Sequence, residues 1–268
     1  MPQTLVLTGA TSGIGLETAR RLAARADVLI LQGPEPPATA EPVRISVEGA
    51  GRASVVYVPA DFTRLAEVVA AASAVRAAAG GPVHALINDA GVPGAARRVV
   101  TADGHERTLQ VNFLALVLLT ELLAPSMGPG ARIVNLASAT HESATLDLDD
   151  IELEHGYSPV GAYARSKLAI VQYTLWRARH RRDGPTAVSL QPGVVNTALL
   201  GAMFGRIGTG VDVGARSVLA ALDAPARGGE YFDQGRLAQP SAEARNAVRG
   251  DELMAWTLGA LEDFLAAR

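Results

Sequence analysis

A glycine-rich turn between an apolar strand and a helix constrains this chain more than any other stretch. The segment Leu5–Arg20 reads LVLTGATSGIGLETAR, with a helix-compatible pattern from Ile14 onward. Gly9 allows a tight turn with unusual dihedral angles, Gly13 leaves room for a pyrophosphate, and Gly15 lets the helix pack close to the strand. N–H groups at the helix start attract anions. The segment predicts a nucleotide-binding turn, and an ordinary tight turn is the alternative.

Length and composition predict one domain covering residues 1–268. The formal net charge is −3, no cysteine is present, and no Pro/Gly/Ser-rich linker divides the 268 residues. The lack of cysteine excludes disulfides, thiolate zinc sites and a cysteine nucleophile. The near-balanced charge argues against nucleic acid as a partner. The one dense basic run, RARHRR at 177–182, is interpreted as a solvated helix end.

Neither a targeting signal nor a membrane span is visible in the sequence. The N-terminus enters the first strand without a charged leader and an apolar signal core. No apolar stretch approaches the roughly 18 residues that span a bilayer. We therefore expect a cytoplasmic location. No second histidine or carboxylate has ligand spacing with His141, so no metal site is expected.

Short apolar runs alternate with helical patterns along the chain. This alternation predicts a doubly wound α/β (Rossmann) fold, in which helices flank a mostly parallel sheet of about seven strands. The prolines within 34–51 argue against one regular helix there. Strands after the first are predicted at 28–31, 55–58, 85–88, 131–137 and 186–191, and helices at 14–24, 65–79, 104–123 and 162–180.

The strongest chemical signal is a tyrosine–lysine pair, Tyr163 and Lys167, at helical spacing i and i+4. Their Cβ atoms lie about 5–6 Å apart on one helix face. The nearby ammonium is expected to lower the phenol pKa toward working pH, so that Tyr163 can exchange a proton with a ketone or alcohol. Such a pair alone is common, and a surface pair is the alternative. Its order after the glycine turn, Asn112 and Ser138 makes it specific.

In combination these motifs resemble the short-chain dehydrogenase/reductase family over almost the whole chain. The segments GHERTLQVNFLA and GGEYFDQGRLAQPSAEARN and an acidic insertion before Tyr163 are similar to its retinol-dehydrogenase-like branch. The motifs that carry the resemblance are TGATSGIG at 8–15, NDAG at 88–91, the residues Asn112, Ser138, Tyr163 and Lys167, and Pro192-Gly193 with Thr197.

The resemblance implies an NAD(P)(H)-dependent oxidoreductase that interconverts a carbonyl and an alcohol on a small hydrophobic or aromatic metabolite. Tyr163 would be the general acid/base and Lys167 would bind the nicotinamide ribose. Ser138 would hold the substrate oxygen, and Asn112 would anchor a relay water. The implied coenzyme contacts are Gly9, Thr11, Ser12, Gly13, Ile14, Gly15, Asp61, Phe62, Asn88, Ala90, Gly91, Tyr163, Lys167, Pro192, Gly193, Val195 and Thr197.

Two departures from the family pattern concern the coenzyme. Asp89 replaces an asparagine of the signature, and neither an acidic residue nor an arginine stands at Gln32 or Gly33, where the adenosine ribose is read. Because no carboxylate there would repel a 2′-phosphate, we expect NADP over NAD. Arg44 or Arg52 would supply the compensating cation.

The substrate pocket is expected at the carboxyl ends of the strands. Residues 194–212 are interpreted as its lid, and residues 229–268 as a C-terminal extension. Apolar faces on the helices of Asn112 and Tyr163 would suit a homo-oligomer, and a monomer is the alternative. The predicted pocket residues are Ser138, His141, Tyr157, Tyr163, Leu199, Met203 and Phe204.

Two other functions are compatible with the same motifs. A catalytically silent nucleotide-binding regulator would need the glycine turn but has no use for the Tyr–Lys pair. An epimerase acting on a nucleotide sugar is disfavoured because the chain shows no second substrate domain.

Overall fold

A sheet of eight strands lies between two layers of helices in the computed structural model, which describes residues 3–205 and 207–267. The strands are β1 (Thr4–Thr8), β2 (Val28–Gly33), β3 (Ser54–Pro59), β4 (Val83–Asn88), β5 (Met127–Leu136), β6 (Thr186–Gln191), β7 (Tyr231–Asp233) and β8 (Arg236–Ala238). The helices are α1 (Gly13–Ala23), α2 (Pro37–Glu48), α3 (Leu65–Ala79), α4 (Arg107–Leu109), α5 (Ala115–Leu123), α6 (Pro159–His180), α7 (Ala198–Phe204), α8 (Val211–Asp223), α9 (Ala247–Ala260) and α10 (Glu262–Ala266).

The strands follow the order β3-β2-β1-β4-β5-β6-β7-β8, and all neighbours are parallel except β7 and β8. The predicted fold class is confirmed, with the short antiparallel β8 as an additional edge strand. The central strands are near-continuous apolar runs because helices cover both faces of the sheet. The strand order reverses between β1 and β4, and such a switch point opens a crevice at the carboxyl ends of the strands.

The prolines within 34–51 were expected to prevent one regular helix there, but Pro37–Glu48 of this stretch form α2. Pro36 is the N-cap and Pro37 opens the helix, where a missing N–H costs little. Pro42 lies inside the helix and removes one donor to the carbonyl of Ala38. Because Ala38 is exposed, water can satisfy that carbonyl.

A π-helical turn, Gln110–Leu114, joins α4 to α5. The resulting helix Arg107–Ser126 has a mean hydropathy of 1.5 and passes a length and composition test for a membrane span, contrary to the expectation from sequence. Of its most apolar window, 89% is buried inside the fold. Its apolar character is that of a core helix surrounded by other elements.

The helix faces expected to pair between subunits are covered by the C-terminal part of the same chain. Helix α9 packs along α6, and α10 packs against α3 and α5. Leu253, Met254 and Leu261 are completely buried in that contact and belong to the main core cluster. Apolar surface of these two helices is therefore buried within this chain, and the homo-oligomer stays a prediction.

The basic run at 177–182 is only partly solvated. Arg177 is buried and forms an ion pair with Glu121 of α5, and the Tyr173 hydroxyl donates to the same carboxylate at 2.8 Å. Arg181 reaches the other oxygen of Glu121 at 3.6 Å. These contacts fix α5 against α6. The start of the basic run therefore packs in the core, whereas a solvated helix end was expected.

Candidate active site

A cleft of about 540 Å³ opens at the carboxyl ends of the parallel strands. Its walls come from the ends of β1 to β6 and from α7. Most of the site residues expected from sequence line it. They are Gly9, Thr11, Ser12, Gly13, Ile14, Asp61, Phe62, Ala90, Gly91, Ser138, Tyr163, Lys167, Pro192, Gly193, Val195, Thr197, Leu199, Met203 and Phe204.

The glycine turn is packed tightly against the end of β4. Gly9 has a φ of +65°, and a Cβ atom there would lie 2.8 Å from the backbone of Ala90. The Thr8 hydroxyl accepts from the backbone N–H groups of Asp89 and Ala90 at 3.1 Å. Ser12 is the N-cap of α1 but makes no capping hydrogen bond through its side chain. The start of α1 therefore has no side-chain cap from Ser12, as expected where a diphosphate binds the first N–H groups of a helix.

Gly15 lies behind the cleft wall. A Cβ atom at this position would lie 2.1 Å from the carbonyl oxygen of Gly9 and 2.6 Å from Oδ2 of Asp89. The position supports the turn by its lack of a side chain, as predicted from sequence.

The end of β2 carries a carboxylate that the sequence reasoning missed. Glu35 lines the cleft with Thr11, whose hydroxyl donates to Glu35 Oε1 at 3.1 Å, and the Tyr57 hydroxyl donates to the Glu35 carbonyl at 2.8 Å. Gln32 instead holds the turn, because its Nε2 donates to the Ala60 carbonyl at 2.9 Å. An acidic residue two positions beyond the strand end was the signal available in the sequence.

The two arginines expected to pair with a 2′-phosphate of the coenzyme form ion pairs elsewhere. Arg44 forms ion pairs with Glu41 and Glu48 on α2, both at 2.8 Å. Arg52 lies 3.4 Å from Asp27. Within the described chain, neither arginine belongs to the cleft lining.

Ser138, Tyr163 and Lys167 meet on the floor of the cleft. Tyr163 is 7% exposed, and the Nζ of Lys167 lies 5.5 Å from the centre of its ring. Lys167 Nζ donates to the carbonyl of Leu136 at 2.9 Å. Ser138 follows β5 and caps a short 3-10 turn, so its hydroxyl is held at the strand end. The predicted i, i+4 pair is thus present inside the cleft.

The electrostatics of this pair differ from the expectation. Burial raises the pKa of Tyr163 to about 12, while hydrogen bonding to Ser138 lowers it and the charge of Asp89 raises it further. Burial also lowers the pKa of Lys167 to about 8. Desolvation of the phenolate is therefore the dominant effect on Tyr163, and the expected lowering of its pKa by the ammonium is not found.

Asn112 lies one layer behind the cleft. Its Oδ1 accepts from the Val92 N–H at 2.8 Å, and its Nδ2 donates to the Val92 carbonyl at 3.1 Å and to Ser166 Oγ at 3.0 Å. Ser166 Oγ in turn donates to the carbonyl of Tyr163 at 2.7 Å. The side chain thus clamps the loop after β4 to α6, and its amide has all the partners that its burial demands.

Besides Gly15 and Asn112, three predicted site residues lie outside the cleft lining in the described chain. Asn88 is buried and donates to Thr120 Oγ1 and Asn135 Oδ1, tying β4 to β5 and α5. The Tyr157 hydroxyl donates to the carbonyl of Ala95 at 3.0 Å, which fixes a loop. Both residues were predicted to contact a ligand, and both are instead hydrogen-bonded to neighbouring backbone or side-chain groups.

His141 is the third correction. Its imidazole is completely buried and packs on Tyr231, with ring centres 5.1 Å apart. Nε2 accepts from the Ser241 N–H at 3.2 Å, which leaves the proton on Nδ1 to donate to the Ser138 carbonyl at 2.8 Å. The ring therefore connects the C-terminal segment to the backbone of Ser138.

The lid segment covers the apolar side of the cleft with side chains that the fold leaves half-buried or exposed. No residue of α7 is fully buried, and Phe204 is 43% exposed. Both ends of the segment are pinned, because Asn196 N donates to the Thr209 carbonyl and Thr209 N to the Val194 carbonyl, each at 2.8 Å. Residue 206 of the predicted lid lies outside the described residues.

Further cleft residues were missed by the sequence reasoning. Arg107 and Val111, which lie five residues and one residue before Asn112, reach the cleft from its helix, and Gln191 ends β6. Strand-end position could have identified Gln191. Nothing in the sequence indicated which face of the long apolar helix turns toward the cleft.

Comparison with known proteins gives a family match. The model for short chain dehydrogenases matches residues 3–205. Polyprenol dehydrogenase of Mus musculus is 40% identical over 203 residues, which cover 72% of this chain and 60% of that protein. Retinol dehydrogenase 12 of Homo sapiens is 34% identical over 205 residues, covering 73% and 62%. The chain thus spans about three fifths of the length of these relatives.

Solved structures share the fold. A putative uncharacterized protein from Mycobacterium paratuberculosis has a TM-score of 0.80 at 28% identity, covering 97% of this chain and 93% of that one. An NADPH-bound carbonyl reductase from chicken fatty liver has a TM-score of 0.67 at 23% identity, covering 89% and 99%. A 3-ketoacyl-(acyl-carrier-protein) reductase from Brucella melitensis, complexed with NADH, has a TM-score of 0.68 at 23% identity, covering 86% and 96%.

Proposed function

This chain belongs to the short-chain dehydrogenase family, and from that premise we propose that it interconverts an alcohol and a carbonyl compound with a nicotinamide coenzyme. One observation carries the proposal: a buried tyrosine, a serine and a lysine share a cleft with a glycine turn at a helix start. The turn fits the coenzyme's diphosphate, because the Ser12 side chain is uncommitted and Gly13 presents no side chain.

The protein's own groups supply positioning and proton transfer. A bound nicotinamide ring supplies the hydride chemistry. Ser138 holds the substrate oxygen beside the Tyr163 hydroxyl, which gives its proton to a carbonyl oxygen or takes one from an alcohol. Lys167, held by the Leu136 carbonyl, keeps a positive charge next to the phenol. Asn112 holds the loop after β4 against α6 through hydrogen bonds to Val92 and Ser166.

The substrate proposed is an apolar alcohol or its aldehyde or ketone. The lid side of the cleft is lined by aliphatic, aromatic and thioether side chains, which favour an apolar ligand through burial of its surface. The names of the two relatives refer to polyprenol and retinol, which are both apolar alcohols. The lining residues on that side are Val194, Val195, Leu199, Leu200, Met203, Phe204 and Ile207.

A coenzyme-linked assay tests the function. Retinol, geranylgeraniol, a cyclic ketone and a sugar alcohol are offered with oxidised or reduced coenzyme, and coenzyme absorbance is followed. We expect turnover with the apolar compounds and none with the sugar alcohol. Coenzyme binding without turnover of any compound would favour the silent regulator, and turnover of the sugar alcohol alone would contradict the substrate proposal.

We propose NAD(H) as the preferred coenzyme, in place of the NADP expected from sequence. The Glu35 carboxylate at the end of β2 can accept from a ribose 2′-hydroxyl and would repel a 2′-phosphate. The arginines expected to offset this repulsion pair with acidic residues outside the cleft. The solved relatives contain either NADPH or NADH, so they do not decide between the two coenzymes.

Removing this carboxylate should shift coenzyme selectivity. In Glu35→Gln, the ratio of NADPH to NADH affinity is expected to rise by about tenfold, equivalent to roughly 1.4 kcal/mol of relieved repulsion. Dissociation constants from fluorescence titration measure the ratio. Glu17→Gln, which removes the same charge from a residue paired with Arg21 on α1, is the control and should leave the ratio unchanged. An unchanged ratio in Glu35→Gln would exclude Glu35 as the determinant.

A further inference from the structure

Asp89 is a charged residue for which the mechanism above has no use. It follows β4 and lines the floor of the cleft, half-buried, at a position where the family signature has an asparagine. Its Oδ2 lies 2.6 Å from the point where a Cβ of Gly15 would be, and its carboxylate accepts from the Gly15 N–H. It therefore occupies the start of α1, which is the part of the helix that attracts anions.

Lys167 faces Asp89 from the other side. Lys167 Nζ lies 3.6 Å from the Cβ position of Gly91, two residues after Asp89. The ammonium lowers the pKa of Asp89 and the carboxylate raises that of Lys167, but burial dominates and brings the two values to about 7 and about 8. Asp89 also raises the pKa of the phenol of Tyr163 on α6, and its backbone N–H donates to the Thr8 hydroxyl at the end of β1.

We propose that Asp89 couples coenzyme binding to the uptake of one proton, because its carboxyl group shares the start of α1 with the site for the coenzyme's diphosphate. Two anions at one helix start repel each other in a partly desolvated cleft. A proton moving from solvent to the Asp89 carboxylate removes that repulsion and leaves a neutral carboxyl group beside Gly15. This inference rests on the proposed coenzyme site.

The same proton has a consequence for Tyr163. An ionised Asp89 raises the pKa of the phenol, so neutralising Asp89 removes one obstacle to phenolate formation. Coenzyme binding would then prepare the phenol for proton exchange through Asp89. Asp89 acts here on Tyr163 and Lys167 through its charge, so it is a positioning residue.

Calorimetry of NADH binding in two buffers of different ionisation enthalpy measures the proton uptake. At pH 7, where Asp89 is half ionised, the wild-type protein should take up about half a proton. Asp89→Asn keeps an acceptor for the Gly15 N–H but cannot take up a proton, so uptake should fall to near zero. At pH 8 this variant should bind NADH about tenfold more tightly than the wild type, because the wild type must first bind a proton.

Two further variants separate Asp89 from other groups. Asp149→Asn removes an exposed carboxylate outside the cleft lining and should retain the wild-type uptake. In Lys167→Met, Asp89 loses the ammonium that lowers its pKa, so uptake should persist and move to higher pH. Loss of uptake in Lys167→Met, or wild-type uptake in Asp89→Asn, would overturn the proposal.

A measurement without coenzyme separates this inference from the proposed function. In protein labelled with ¹³C at the aspartate carboxyl carbons, one resonance should titrate near pH 7 and be missing in Asp89→Asn. If that resonance is found but NADH does not bind at any pH, the proposed coenzyme site fails while the assignment of Asp89 stands. If every aspartate titrates in the ordinary acidic range, Asp89 cannot take up the proton.

Discussion

Replacing Tyr163 by phenylalanine should lower kcat by about 1,000-fold while leaving coenzyme affinity almost unchanged. In the proposed mechanism the phenol is the proton donor, and general acid–base groups contribute about 10²–10⁴-fold to turnover. The ring itself is 7% exposed and packs beside Lys167, so phenylalanine fills the same space. Steady-state turnover of an apolar alcohol, together with NADH titration, measures both quantities.

A second buried tyrosine supplies the matched control. Tyr231 of β7 is 2% exposed, and its hydroxyl has no hydrogen-bond partner within the described structure. Tyr231→Phe removes an unsatisfied buried group, so it should leave kcat unchanged and leave the thermal midpoint equal or higher. Turnover in Tyr163→Phe within about tenfold of the wild type would contradict the role of the phenol.

The fold was predictable because its signals are local and repeated. The strand β6 occupies the predicted residues 186–191, and α3 occupies 65–79 as predicted, since apolar runs and Gly80 mark their ends. Helix α2 was missed because proline was weighed as a helix breaker without regard to position. At the first turn proline costs little, and at Pro42 an exposed carbonyl can turn to water.

The parts of the site that were predictable lie at strand ends. Parallel strands deliver their carboxyl ends to one edge, so Ser138 after β5 and the turn after β1 had to meet. His141 was misassigned because its partner, Ser241, lies 100 residues away in the C-terminal extension. No local sequence pattern indicates which polar side chain will form a hydrogen bond with a backbone group far away in the chain.

The pKa of Tyr163 shows a different limit of sequence reasoning. Helical spacing fixes the Cβ separation of Tyr163 and Lys167, but it does not determine where a flexible ammonium points or how dry the cleft is. In the structure the ammonium turns to the Leu136 carbonyl, and burial raises the phenol pKa to about 12. The charge of Asp89 raises the same pKa, so neutralising Asp89, as proposed above for coenzyme binding, would lower it.

The Gly15→Ala variant should lose coenzyme binding almost completely, by about 100-fold or more. The added methyl group would lie 2.1 Å from the Gly9 carbonyl oxygen and 2.6 Å from Asp89 Oδ2, so α1 must move away from β1. A misplacement of about 1 Å can cost about 100-fold in reaction rate, and we expect a loss of similar size in binding here. The strain should also lower the free energy of unfolding by about 1–3 kcal/mol. NADH titration and urea denaturation measure the two effects.

Gly259→Ala is the control for this change because it adds the same methyl group to a helix with open space around it. Nothing lies within 4 Å of the Cβ position at Gly259 in α9. Alanine should therefore leave NADH affinity unchanged and raise the free energy of unfolding by about 0.5–1 kcal/mol through its helix propensity. If Gly15→Ala left the NADH affinity unchanged, as is expected for Gly259→Ala, the start of α1 could not be the diphosphate site. Displacing this helix would then have had no effect on the bound ligand.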